Sequence, residues 1–170
     1  MSFSRAIDRA RAGLDVVHGV LNWVAVACIV GISLLIFGNI VLRNLLSIGL
    51  SWVDEMARFL HVTLVFLAVP VLYSQNCHIR LEALRDNASP LLRKLLRFLA
   101  LIATVTFAVA FLKSDMEFMR RHWDVPSPAM LMPNFLFFGG PIVGISVLLI
   151  DALVDLVGAI GGHDREGCAE

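Results

Sequence analysis

Charge is scarce in this 170-residue chain, at 16% of residues, and neither sign is in excess, because 14 Lys and Arg stand against 14 Asp and Glu. With no basic arm, nothing points to a nucleic-acid partner. Cysteine is scarce too. Cys28 lies in an apolar run, Cys77 in a polar connection and Cys168 near the C-terminus, which is neither the number nor the spacing of a disulfide framework or a metal site. Zinc-ligand spacing, G-x-S-x-G, a P-loop and a dinucleotide fingerprint are all missing, so no catalytic constellation, cofactor site or metal site suggests itself.

Apolar residues are what the chain has. They make up 58% of it, with a mean hydropathy of +0.81, more than one soluble core of this length buries. The sequence predicts an integral membrane protein. Arg5, Arg9 and Arg11 before an apolar run imitate a secretory signal. However, residues 16–42 carry no acidic, Lys or Arg side chain, a stretch about twice a signal h-region, with no clear small-residue cleavage site after it. It reads as a retained first span.

Four apolar blocks predict an all-α membrane protein with four transmembrane helices, at residues 18–43, 52–74, 91–113 and 133–157. They form one domain over 1–162, and 163–170 read as a tail. Asn22 and Asn39 in the first block can bond to a neighbouring helix, and Trp23 suits an interface. In the second block Pro70 removes the helical partner of the Phe66 carbonyl and predicts a kink. The third opens on Ser89-Pro90, a good cap and first-turn pair. Its uncharged part, 98–112, is short for a bilayer, so 91–97 is expected to be an amphipathic start whose Arg93, Lys94 and Arg97 reach the headgroups, making a long helix that protrudes at both ends. Residues 113–132 form the largest expected connection. The fourth block has Pro141, then Asp151 and Asp155 four apart on one face. Arg93 and Arg97 have the same spacing at the corresponding end of the third helix, which motivates a pairing between the two sets.

An even number of spans puts both termini on one side. That side has Arg5, Arg9, Arg11, Arg80, Arg85, Arg93, Lys94, Arg97 and Arg165; the other has Arg43, Lys113, Arg120 and Arg121. The bias predicts cytoplasmic termini.

The second span carries the most informative stretch, Ser51-Trp52-Val53-Asp54-Glu55-Met56-Ala57-Arg58. Residues 59–73 lack acidic, Lys and Arg side chains but rise only about 22 Å, against about 30 Å of hydrocarbon. The helix therefore has to start near Trp52, with three charges at the membrane edge. Ser51 and Asp54 have capping-box spacing, and Arg58 is placed to pair with Asp54 at i,i+4 or Glu55 at i,i+3. One acid is left over. Capping alone, an intersubunit contact and an ion or proton site are the open readings.

Histidines raise a rival, since four-helix membrane anchors often hold haem between paired imidazoles. Of His18, His61, His78 and His122, only His61 lies inside a span, and His18 with His78 match in depth only at the inner surface. The outer connection, Trp123-Asp124-Val125-Pro126-Ser127-Pro128, reads equally as a proline-shaped turn and as a docking surface.

Taken in order, Ser51-Trp52-Val53-Asp54-Glu55 with Arg58, Cys77-His78-Ile79-Arg80-Leu81-Glu82-Ala83-Leu84, and Ser127-Pro128-Ala129-Met130-Leu131-Met132-Pro133 with Pro141 resemble the small membrane subunit of tripartite ATP-independent periplasmic (TRAP) transporters. The resemblance covers residues 40–144. Asn134-Phe135 stand where relatives often have a tryptophan, and Asp54 where many have glutamate. The resemblance implies a non-catalytic inner-membrane subunit, in contact with lipid, that partners a large multi-span permease subunit and a periplasmic solute-binding protein. Sodium-driven uptake of organic acids would take place in the large subunit, with this one enlarging its scaffold. Trp52, Asp54, Glu55, Arg58 and His78 are then the expected interface residues, and 113–132 would meet the binding protein.

Overall fold

The computed structural model describes residues 2–75, 90–123, 129 and 135–160. Four helices fill these stretches: α1, Ser2–Leu46; α2, Ser51–Gln75; α3, Pro90–Arg121; and α4, Phe135–Ile160. Each has a stretch long and apolar enough to cross a membrane, at Arg11–Leu46, Ser51–Gln75, Phe98–Arg121 and Phe137–Ala159. The expected all-α, four-span frame is present.

Two helices outrun their apolar cores. The 45 residues of α1 rise about 67 Å, because the segment before His18 carries several Ala and Arg, which favour helix without needing burial. The 32 residues of α3 rise about 48 Å. As expected, this helix is long and protrudes at both ends of its uncharged part, and residues 113–121, counted with the connection, belong to it. Lys113, Met116, Glu117 and Met119 are good helix formers, and Arg120 and Arg121 close the last turn, where cations suit the carbonyl end of the dipole. The connection is correspondingly shorter.

Residues 47–50 join α1 to α2. Ser47 adopts a left-handed φ of 54°, the conformation that commonly ends a helix. Asn39 accepts a hydrogen bond from Leu50 N–H at 3.3 Å, so its amide secures this turn.

α2 packs on α1 and on α4, α4 packs on α3, and α1 touches α4 more lightly. Leu21 of α1 meets Leu67 and Val71 of α2 beside Val147 of α4. Ala108 of α3 meets Ile145 and Leu148 of α4, with Phe66 and Phe111 packed against them. α2 and α3 touch there through the Phe66 and Phe111 rings, 5.2 Å apart. α2 and α4 therefore form the inner pair of the bundle, with α1 packed on α2 and α3 packed on α4.

α2 and α4 approach each other closely at two glycines. A Cβ added to Gly144 would lie 2.6 Å from the Phe66 carbonyl carbon and closer still to its oxygen; one added to Gly140 would lie 2.9 Å from the Thr63 Cα. Pro70, buried in α2, has no N–H to offer the Phe66 carbonyl four residues before it. The Gly144 backbone is what covers that carbonyl. Gly140 and Gly144 form the small-xxx-small spacing that lets helices approach in lipid. The helix runs on through Pro70 and likewise through Pro141 in α4.

A bulky side chain at Gly144 must force the two backbones apart. Gly144→Leu is expected to cost about 1–3 kcal/mol by overpacking, read as a lower midpoint of thermal unfolding in detergent. Gly38→Leu is the control, since nothing lies within 4 Å of a Cβ at Gly38. Equal losses from both would refute a special contact at Gly144.

Candidate functional site

Polar side chains gather at the two ends of the bundle. The far end holds the start of α2. Val53 is buried there and donates its N–H to the Leu50 carbonyl at 3.1 Å, so Leu50 rather than Ser51 takes the cap position. Among the described residues the Ser51 hydroxyl makes no capping bond, and the expected box with Asp54 does not form.

Asp54 and Glu55 part company. Asp54 is exposed and Glu55 half-buried, since adjacent helix positions point about 100° apart. Glu55 Oε2 accepts a hydrogen bond from Ala129 N–H at 3.0 Å, across 74 positions of sequence. A carboxylate at the head of α2 thus holds the connection between α3 and α4. Arg58 is exposed, and among the described residues no ion pair joins it to Asp54 or Glu55. Trp52 is exposed in the first turn of α2. Phe59 meets Phe137 edge-on at 5.1 Å, and Phe118 meets Phe138 at 5.2 Å, closing an aromatic layer beneath the rim. His122 stacks on Phe118 at 4.1 Å and donates from Nδ1 to the Phe118 carbonyl at 3.0 Å.

The other end carries Ser2 and Ile160 and joins α1, α2 and α4. His18 Nε2 lies 2.8 Å from Asp151 Oδ2, with both residues buried. One turn on, Asp155 has Arg11 at 3.7 Å and accepts a hydrogen bond from the Tyr73 hydroxyl at 3.4 Å. The shared face expected for the two acids is therefore used, with partners on α1 and α2. The side chains of Arg93 and Arg97, and all of His78, lie outside the described residues.

Sequence reasoning missed His18 with Asp151 and Glu55 with Ala129, because neither pair has a local spacing that reveals it. The one available signal was depth: His18 opens the first apolar block and Asp151 closes the fourth, so antiparallel packing levels them. His18 Nδ1 is buried without a partner among the described residues. Those residues also contain no group of three or more metal-ligating side chains.

Four long apolar helices with charge held at their ends define a multi-pass membrane protein. Residues 32–162 match the family described as tripartite ATP-independent periplasmic transporters, DctQ component, and the chain belongs to that family. It is therefore a small permease component of a TRAP transporter. A Haemophilus influenzae protein named as a TRAP transporter small permease is 23% identical over 144 residues, covering 83% of this chain and 89% of that relative. The isethionate TRAP transporter permease protein DctMQ of Oleidesulfovibrio alaskensis is 24% identical over 111 residues, 64% of this chain but 18% of that much longer protein. A haem-bearing respiratory anchor has no support in these relationships. His18 already has its Nε2 on Asp151.

Replacing His18 and Asp151 by leucine, singly and together, should expose a coupling of about 0.5–3 kcal/mol in thermal unfolding. Strict additivity would mean that the buried pair does not act as one. At the far end, Glu55→Ala should speed hydrogen exchange at the Ala129 amide, while Glu55→Gln, which keeps an acceptor oxygen, should largely preserve its protection.

Proposed function

We propose that the chain is the non-catalytic small subunit of a sodium-coupled TRAP transporter for organic acids, enlarging the fixed scaffold of a large multi-span permease subunit. The relative from Oleidesulfovibrio alaskensis carries this reading: a stretch similar to this chain is one part of a longer permease protein, so the two parts work within one assembly. A periplasmic solute-binding protein is the third component. The assembly sits in the bacterial inner membrane, with both termini of this chain in the cytoplasm, as the Lys and Arg bias favours.

On this reading the far end of the bundle faces the periplasm. Trp52 anchors α2 at the outer interface, and of the Asp54, Glu55 and Arg58 cluster, Asp54 and Arg58 align the large subunit while Glu55 holds Ala129 of its own chain. His78 shapes the inner connection. Residues 113–132 face the binding protein, with 113–121 as a helical stalk. At the cytoplasmic end, pairing of Arg93 and Arg97 with Asp151 and Asp155 would tie α3 to α4, beside the observed ties from α1 and α2.

Transport reconstituted in vesicles tests the division of labour. With the large subunit, the binding protein and a sodium gradient, uptake of an organic acid is expected, and leaving out this chain should abolish or sharply reduce it. Sodium-driven uptake by this chain alone would overturn the scaffold reading.

A further inference from the structure

The structure separates the charges that open α2 into an internal set and an external set. Glu55 turns inward and holds its own chain at Ala129. Asp54, Arg58 and His61 are exposed, and so are Val65 and Leu72 further along the same helix. At about 100° per residue these five fall within a sector of roughly 60°. It lies opposite the sides of α2 that meet α1 through Leu60, Leu67 and Val71, and α4 through Phe59, Thr63 and Phe66. The 4-3-4-7 spacing traces a straight seam, the pattern along which a second helix packs at a shallow angle.

Other outward faces differ. Within its uncharged run, 16–42, that of α1 is apolar apart from Asn22 and Ser33, and Ser33 bonds to its own helix at Ile29. α3 also exposes Lys113, Glu117 and Arg120, but these lie beyond its uncharged part. His61 lies inside the uncharged part of α2. An imidazole facing hydrocarbon without a partner is costly, and a cation one turn from it adds to the demand for a neighbour of opposite charge.

We propose that the seam from Asp54 to Leu72 is covered by a membrane-spanning helix of the large permease subunit that presents a carboxylate level with Arg58, within reach of His61. This rests on the small-subunit reading above and names the surface it uses: the intermolecular acid of the opening cluster is Asp54, and Glu55 serves its own chain. The apolar residues Val65 and Leu72 continue the contact toward the opposite leaflet.

The test uses the full complex, co-expressed with its large subunit. A benzophenone side chain placed at Val65 or Leu72 should cross-link to the large subunit on illumination, whereas one at Val109 of α3 or Ile29 of α1 should capture lipid. Arg58→Glu should reduce recovery of the large subunit by about tenfold or more, as expected for reversing one charge of a close interfacial pair. Arg58→Lys should keep most of it. An unchanged elution profile of the isolated Arg58→Glu chain checks that its fold survives. Cross-links from α1 or α3 alone, with the complex intact, would overturn the seam and leave the small-subunit reading standing. Lipid capture at Val65 and Leu72, with recovery unaffected by Arg58→Glu, would mean that Arg58 only reaches for headgroups. If no large subunit co-purifies with the unaltered chain, both readings fall.

Discussion

The bundle depends on one backbone contact, Gly144 of α4 against the carbonyl that Pro70 leaves open at Phe66 of α2. In water, a four-helix bundle is held by apolar burial. In lipid that force between helices is largely gone, and close packing and polar contacts take over. A proline in α2 and a small-residue pair in α4 would each weaken an isolated helix. Together they let the backbones meet. The aromatic and aliphatic layers between these two helices, Phe59 with Phe137 and Leu67 and Val71 beside Val147, follow from that spacing.

Polar side chains then lock the ends that this contact brings level. Placing His18 and Asp151 out of water is expensive, and their 2.8 Å contact offsets the cost only because antiparallel packing fixes the imidazole and the carboxylate at one depth. Buried polar pairs of this kind are weak evidence for net stability and better evidence for register. Sliding α1 against α4 by one turn, about 5.4 Å, would separate His18 from Asp151 and Arg11 from Asp155 at once. At the far end Glu55 does the same for α2 and the α3–α4 connection, through a single backbone N–H.

Much of this architecture was legible in the sequence, for reasons that can be named. Uncharged runs fixed the four spans, because a bilayer demands them whatever the tertiary fold. Pro90 marked the start of α3, and the four-residue spacing of Asp151 and Asp155 gave their shared face. Helix ends were less legible. Residues 2–17 and 113–121 are polar enough to read as flanks, yet polar helix formers extend a helix into water at little cost. The capping box at Ser51 failed because the chain enters α2 from a tight turn at 47–50, so the cap falls one residue earlier. Partners such as His18 for Asp151 were not legible because they need the order in which helices touch. In this bundle the fourth helix is inserted beside the second, and no local pattern announces that.

This order of helices has a consequence for the proposed scaffold role. Because α2 and α4 form the inner pair of the bundle and α1 packs on α2, α2 keeps one face outward along its whole length while being gripped by two neighbours. A helix held in this way cannot rotate to hide an unfavourable side chain, since rotation would break the Gly144 contact and the Glu55 bond together. Asp54, Arg58 and His61 are therefore presented in fixed register rather than left free to turn inward. A mobile helix bearing the same residues would bury them or let them reach for the headgroups. A rigid one makes them a surface against which a larger partner can be aligned, which is what a fixed scaffold requires if the moving parts of the transporter lie elsewhere.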